Sequence, residues 1–446
     1  MLSRVLAFLR PPAEGGPSLV VSSVWSLLLR IAGMGVTFVV GVQLARYLGP
    51  AGFGIYGVVI GIMMLLNSAA QLGLPVLSTR ETAVAWSRGD WPRLRGVIRW
   101  FAVAVATAGL LLAVLFILAA QLWPGADAQF RGAAWWGAAL VPVFALTVLV
   151  SAELRGLDRL VMGQSLEVFV RPAAMSILCV AAFLARGSMD APLALALNFT
   201  SAALALLLGF YWLHRRLPAA ARRASPERHT REWRRAGLPL ALSEILRQLE
   251  GTYALLIVGA LATAAETGLF RVASSCALVV ATPLSVLHVV LAPTLARLHK
   301  DRDREKLARL LTMAARIMLA ASAGALLFLA VAGHWLISLM FGPQYAGSSL
   351  PLVVLVAAQG VGAFFGVGFV LLAMGDSERQ LSLCYLASVI VGATAAVPLT
   401  LAWGAVGAAA AAVAGGLANN GLAWYFVRRR MGLDCSALGL AIRRHP

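Results

Sequence analysis

The sequence predicts an all-α integral membrane protein of about 12 transmembrane helices, and three observations carry that expectation. Of the 446 residues, 60% are apolar and only 13% charged, and the mean hydropathy is +0.84. A soluble protein carries about a quarter of its residues charged, so soluble enzymes and nucleic-acid binders are excluded at the outset. The apolar residues also fall in runs: no Asp, Glu, Lys or Arg occurs from Ile317 to Gly375 or from Gln380 to Val427. Each run is too long for one crossing of roughly 20 residues and fits two with a turn between them. Finally, the Lys and Arg residues lie mostly between the runs and on alternate turns, as crossing helices require.

The first six spans are expected near Leu19–Val42, Phe53–Val76, Trp100–Leu122, Ala133–Leu154, Val161–Leu184 and Ala191–Leu213. The second six fall near Leu238–Leu261, Leu269–Leu291, Leu310–Val331, Leu350–Leu372, Leu381–Leu401 and Val406–Phe426. Turns inside the two charge-free runs are marked by Phe341-Gly342-Pro343-Gln344-Tyr345 and Trp403-Gly404-Ala405-Val406-Gly407. The first span is too long for a secretory signal and follows a polar, Pro-containing segment from Arg10 to Pro17, so it is expected to remain as a helix.

The chain carries 37 Lys and Arg against 19 Asp and Glu, a net charge of +18, and Lys300 and Lys306 are its only lysines. With the N-terminus inside, both termini and the even-numbered turns hold most of these cations, and Arg46, Arg131 and Arg186 fall on the opposite side. That bias predicts cytoplasmic termini. Cys179, Cys276, Cys384 and Cys435 show neither metal-ligand nor disulfide spacing. No cofactor or metal is expected, and the coupling ion stays open.

The longest hydrophilic stretch, Leu217–Arg235, splits the chain six plus six, a division typical of transporters built from repeated halves. The expected domains are a cytoplasmic segment 1–18, a six-helix bundle 19–213, a basic linker 214–236, a second bundle 237–427 and a basic tail 428–446. A short echo supports the repeat: Gly54-Ile55-Tyr56-Gly57-Val58 aligns with Gly268-Leu269-Phe270-Arg271-Val272 at the entrance of the equivalent span.

The run Leu44-Ala45-Arg46-Tyr47-Leu48-Gly49-Pro50-Ala51-Gly52-Phe53-Gly54-Ile55-Tyr56 resembles the first extracytoplasmic turn of polysaccharide and O-antigen (Wzx-like) flippases. These belong to the multidrug/oligosaccharidyl-lipid/polysaccharide exporter superfamily. Glu266–Ala273, the Phe341–Tyr345 and Ala405–Ala408 turns and Met374-Gly375-Asp376 are similar to other turns of that family, and the likeness runs from about Leu19 to Arg430. The resemblance implies two pseudo-symmetric six-helix bundles around a central cavity that opens to each side in turn. It also implies a polyprenyl-diphosphate-linked oligosaccharide as cargo, a bacterial inner membrane as location, and transport rather than catalysis.

Arg30, Arg171, Arg247, Arg271 and Arg316 lie within predicted spans, as do Glu167, Glu244 and Glu250. A charge in the bilayer is expensive, so each should face a cavity, a partner or the interface. Ser22, Ser26, Arg30, Gly33, Thr37 and Gly41 share one face of the first span, which reads as a cavity wall, with a close-packed small-residue seam as the alternative. Glu244, Arg247, Gln248 and Gly251 share a face of span seven, and Gln164, Glu167 and Arg171 repeat the pattern on span five before Pro172, which would kink the helix.

Arg30, Arg171, Arg247 and Arg271 are therefore the candidate diphosphate ligands, because guanidinium stays charged and grips phosphate oxygens in a fork. Glu167 and Glu244 are candidates for proton coupling. Ser26, Thr37, Asn67, Gln71, Gln164 and Gln248 are candidate polar lining. Arg316 is expected to snorkel to the inner interface, Arg271 to contact cargo or snorkel outward, and His288 to pack neutrally. Asn198, Gln359, Asn419 and Asn420 are expected to bond between helices.

Two rival readings remain. A drug/cation antiporter of the same superfamily would favour an acidic cavity, whereas here five intramembrane Arg face three Glu. An integral enzyme of polysaccharide assembly could use Asp301-Arg302-Asp303, but the alternating charges around it read as a solvated turn, and no catalytic cluster or phosphate-cradling loop accompanies it. The basic linker should lie against anionic lipid headgroups or meet a polymerase or glycosyltransferase partner.

Overall fold

Every described element is helical, as hydrocarbon demands: without water, each backbone N–H must find a carbonyl within its own segment. The computed structural model describes residues 19–123, 125, 127–227, 230–300, 303–374 and 378–439. Its helices are α1 (Leu19–Ala70), α2 (Leu74–Arg88), α3 (Trp91–Leu122), α4 (Ala128–Gly156), α5 (Leu160–Arg186), α6 (Ala191–Arg216) and α7 (Ala219–Arg223). There follow α8 (Thr230–Leu261), α9 (Ala264–Lys300), α10 (Arg304–Phe341), a 3-10 turn (Pro343–Ser348), α11 (Ser349–Phe365), α12 (Gly368–Met374) and α13 (Glu378–Met431).

Local sequence explains where these elements begin and bend. Asp90, Asp127, Asp190 and Asp303 each accept a hydrogen bond from the backbone N–H three residues on, capping α3, α4, α6 and α10. α1 passes through Gly49 at φ 66° and α13 through Gly404 at φ 54°. A residue with a Cβ resists that region, so these two glycines fold each long element into a pair of crossings. Among the described residues nine helices are long and apolar enough to span a membrane, α1 and α13 among them. With those two bends and the 32-residue α8, the twelve predicted crossings are accounted for.

Two predicted spans are interrupted. The second ends at Ala70 rather than Val76, because Leu72 and Gly73 take positive φ and the chain restarts as α2. The tenth breaks at Gly366, where a Cβ would lie 2.0 Å from the carbonyl oxygen of Cys435. Span five widens just before Pro172 into a π turn over Leu166–Val170, with the Arg171 N–H reaching back to the Leu166 carbonyl.

The described residues sort into two packed units. The first takes those up to Gln43 together with Leu66–Ala241, and the second takes Leu44–Leu65 and everything from Leu242 onward. These limits differ from the six-plus-six division by sequence. The first turn between spans packs with the second unit, and the first unit ends inside α8 rather than at the linker.

In the first unit, Leu94, Leu154, Leu166, Leu213 and Ala221 form an apolar cluster, so part of the expected basic linker is core. Trp233 is buried there, edge-on to Phe101 at 5.1 Å.

The second unit is joined through close-packed glycines. A Cβ on Gly54 would lie 1.9 Å from the Ala264 carbonyl oxygen, and one on Gly268 would lie 2.0 Å from that of Pro50. The two echoed motifs therefore sit against each other, each glycine admitting the other's backbone. Tyr345 Oη donates to the Ala45 carbonyl at 2.8 Å, and Arg46 donates to the Leu339 and Met340 carbonyls at the end of α10. At the α13 bend, Gly404 makes room for the Glu266 carboxylate. Four of the turns that carry the family resemblance thus converge as packing. Met374 keeps only its backbone description, and Gly375 and Asp376 lie outside the described residues.

In the basic tail that follows α13, Leu433 and Cys435 are buried. Ala437 N–H donates to the Phe364 carbonyl, and Arg316 Nε donates to the Ala437 carbonyl, each at 2.9 Å. Arg316 therefore anchors the tail instead of snorkelling. Burial alone would raise the Asp434 carboxyl, but hydrogen bonds from Trp424 Nε1 at 3.0 Å and Ser436 N–H at 2.9 Å outweigh it and hold the group below its ordinary range.

Two outcomes are expected. Gly268→Val should lower stability in detergent by about 1–3 kcal/mol, as overpacking does, read as an earlier thermal transition than the parent's. A carboxyl with a depressed value stabilises the fold fully above its ordinary value and loses that contribution as pH falls through the folded one. Amide exchange at Cys435–Ala437, corrected for intrinsic rate, should therefore stay protected at neutral pH and accelerate only below the ordinary aspartate value of 3.8. Asp434→Asn should exchange faster than the parent above that value, with the difference closing as pH falls through the parent's folded value.

Candidate substrate site

The small-residue stripe of the first span divides in two. Ser26 is buried and donates its hydroxyl to Gln164 Oε1 on α5, and a Cβ on Gly33 would lie 2.2 Å from the Val168 carbonyl oxygen. These positions form a seam between α1 and α5. Arg30 and Thr37, on the same face, are exposed. The stripe is thus neither wholly seam nor wholly wall, and the side chain of Ser22 lies outside the described residues.

On α5 the charges are shared differently from the spacing argument. Glu167 is paired with Arg155 of α4, Nη1 to Oε1 at 3.2 Å, both side chains about a quarter exposed. Arg171 donates to Asn198 Oδ1 of α6 at 3.4 Å and lies over the Phe144 ring at 4.6 Å. Its charge is thereby held by an amide dipole and an aromatic face. The π turn that carries Glu167 ends where Arg171 begins, so the same distortion aims both residues.

In the second unit Glu244 and Arg247 form the expected i,i+3 pair on α8, with Nε to Oε2 at 3.0 Å and Nη2 also bonded to Oε1. Gln248 is half-buried one residue further on. Glu250 is set apart: Ser388 donates to its Oε1 at 3.3 Å, and Asn419 is its other hydrogen-bond partner. Tyr253 is buried one turn along α8 and donates to the Ala411 carbonyl. Gly392 and Gly415 leave the space that its hydroxyl occupies.

Arg271 packs its methylenes against Gly57, where a Cβ would lie 3.4 Å from both Cγ and Cδ. Its Nε is buried without a hydrogen-bond partner, and no ion pair reaches it among the described residues. The residue is half-buried within the second unit.

Among the remaining candidates Asn67 is buried with Oδ1 unbonded, and Gln71 is half-buried at the end of α1. Gln359 bonds the Ala277 carbonyl on α9, while Asn420 bonds Gly416 within its own helix. The side chain of His288 lies outside the described residues, as do Asp301 and Arg302. No group of three or more His, Cys, Asp or Glu able to hold a metal occurs among the described residues.

Three features escaped sequence reasoning. Glu153 lies one residue inside the predicted fourth span, is 1% exposed, and has Oε1 without a hydrogen bond. Its position was the available signal. Glu81 and Arg93 make a buried pair at 2.6 Å, and the Glu250, Ser388 and Asn419 cluster joins three spans with no common spacing. Only the oddity of a carboxylate in each helix could have flagged them.

Residues 19–299 match the protein family described as "Polysaccharide biosynthesis protein". "Stage V sporulation protein B" of Bacillus subtilis (strain 168) is 28% identical over 194 residues, 41% of this chain and 37% of that protein. The matched stretch thus spans little more than a third of that relative. Among solved structures, the inward-facing conformation of a multidrug resistance MATE family transporter of the MOP superfamily aligns with a TM-score of 0.75 at 15% identity, covering 92% of this chain and 98% of that one. The lipid II flippase MurJ, in an inward closed conformation, aligns with a TM-score of 0.70 at 12% identity, covering 92% and 87%. At these identities the likeness is one of fold.

The two missed carboxylates should respond in opposite ways. Glu81→Gln strands the half-covered Arg93 and should cost about 1–3 kcal/mol, less than the full buried-pair penalty because Arg93 keeps some water. Glu153→Gln preserves volume and removes a charge that no cation offsets among the described residues, so it should stay within about 1 kcal/mol of the parent. Thermal unfolding of the two purified variants checks both.

Proposed function

The chain belongs to the polysaccharide biosynthesis protein family, within the MOP superfamily of transporters and flippases, and from that premise we propose that it flips a polyprenyl-diphosphate-linked oligosaccharide. The cargo is an O-antigen or exopolysaccharide repeat unit, carried from the cytoplasmic to the outer leaflet of a bacterial inner membrane by alternating access. Both termini are cytoplasmic in this reading. The protein has no catalytic role, and polymerases or glycosyltransferases are its partners.

Arg271 is the observation that carries the proposal. A guanidinium inside a spanning unit with no ion-pair partner among the described residues is a fixed positive charge awaiting an anion. A diphosphate cannot enter hydrocarbon without replacing its water, and several guanidinium forks supply that replacement. Arg271 is the primary ligand, and Arg30 and Arg171 offer the same chemistry in the first unit. Arg247 joins them when Glu244 releases it. The polyprenyl tail stays in lipid, and Ser26, Thr37, Asn67, Gln71, Gln164 and Gln248 serve the sugars.

Glu167 and Glu244 can couple protons only by exchanging their arginine partners, Arg155 and Arg247. Glu250, whose hydrogen-bond partners Ser388 and Asn419 are neutral, is the better-supported coupling carboxylate. A cation antiporter remains the second reading on the strength of that same carboxylate.

In membranes with equal protein insertion, Arg271→Ala should lower export of undecaprenyl-diphosphate-linked sugar by roughly 10- to 100-fold, the worth of a charged hydrogen bond. Arg271→Lys should recover part of it. Export at the parental rate would sink the site assignment. Deleting the protein should trap lipid-linked sugar in the cytoplasmic leaflet; unchanged sugar with altered drug sensitivity points to the antiporter.

A further inference from the structure

A cleft of about 290 Å³ lies at the Arg-rich end of the first unit, apart from every residue assigned to cargo. Arg95, Ile98 and Arg99 enter it from one face of α3, His214 comes from the end of α6, and Arg222 from α7. Arg95 is held in place by a hydrogen bond from Nη1 to the Ala224 carbonyl. Arg222 Nη1 lies 3.3 Å from His214 Nε2. Among the described residues no Asp or Glu lines the cleft. Of the acids nearby, Asp90 caps the N–H of Arg93, Glu81 is paired with the Arg93 guanidinium, and Glu227 packs its backbone against Gly96 of α3.

The floor is apolar. Ile98 and Leu217 continue into the cluster formed by Leu94, Leu213 and Ala221. Trp100 follows Arg99 and Trp212 precedes Leu213, and tryptophans at such positions mark the headgroup level of a membrane. A rim of three guanidinium groups and an imidazole over a greasy floor suits an amphiphile with a phosphate at one end. A soluble anion would have no use for the floor.

We propose that this cleft is a specific binding site for one anionic phospholipid, its headgroup phosphate held by Arg95, Arg99 and Arg222 and its upper acyl chain lying on Ile98 and Leu217. The site is independent of the cargo assignment and requires only that this end of the unit meet a membrane surface. It differs from diffuse attraction of a basic surface to acidic lipid, because three elements fix the cations around one volume.

The test uses the delipidated full-length protein in detergent, titrated with short-chain phosphatidylglycerol, phosphatidylcholine or inorganic phosphate and read by native mass spectrometry. One phosphatidylglycerol should be retained and phosphatidylcholine should not. Arg99→Gln, an exposed position, should weaken retention about fivefold, the usual worth of one cation at a lipid surface. The combined Arg95→Gln, Arg99→Gln and Arg222→Gln variant should abolish it. Arg88→Gln and Arg186→Gln, outside the cleft, should leave it unchanged. Equal retention of the two lipids overturns the proposal, as does an Arg99→Gln variant that binds like the parent. Equal weakening by the outside replacements would reduce the effect to surface charge. Competition by inorganic phosphate at the lipid's own concentration would make the site one for a soluble anion. If the triple variant fails to fold, Arg99→Gln and the outside controls still decide.

Discussion

The second unit depends on the crossing of its two glycine motifs. Gly54 lies on the carbonyl of Ala264, and Gly268 lies on that of Pro50. In lipid, water drives no apolar surfaces together, so close van der Waals approach and hydrogen bonds must hold helices to one another. A pair of glycines that each admit a backbone oxygen gives the closest approach two helices can make. The Gly49 bend, the Tyr345 hydroxyl on Ala45 and the Arg46 cap on α10 all surround this contact. They bring the first turn between spans into the second unit.

That arrangement changes what the family-like turns mean. They were noticed as a signature of transport, but what they do in the molecule is pack. Cargo chemistry has to be sought instead in the charges, whose allocation is uneven. Glu167, Glu244 and Glu81 each hold an arginine, Arg171 rests on an amide and a ring, and Arg271 keeps a buried Nε with no hydrogen-bond partner among the described residues. The usefulness of an intramembrane cation for binding an anion depends on this remaining imbalance, not on the number of arginines.

Hydropathy made the spans legible because each helix must satisfy its own backbone, and the i,i+3 pair Glu244–Arg247 was legible because both partners lie on one turn. What could not be read were contacts between spans. Helical phase put Glu167 beside Arg171, whereas the partner observed for Glu167 is Arg155, on another helix. The interruption at Gly366 answers to the carbonyl of Cys435, nearly seventy positions away in the chain. Glu250 meets Ser388 and Asn419 for the same reason. The docking of the tail was not legible because Leu433, Cys435 and Ala437 are few and alternate with the polar Asp434 and Ser436.

The assignment of Leu44–Leu65 to the second unit means that the polypeptide passes between the units three times, near residues 43, 65 and 241. The halves of the gene are therefore not the halves of the molecule. A chain severed at the basic linker would yield a first fragment whose Leu44–Leu65 hairpin packs with the second fragment. The two pieces would be obliged to exchange that hairpin to assemble, much as swapped subunits do. A duplicated ancestor of this fold need never have existed as two separable modules.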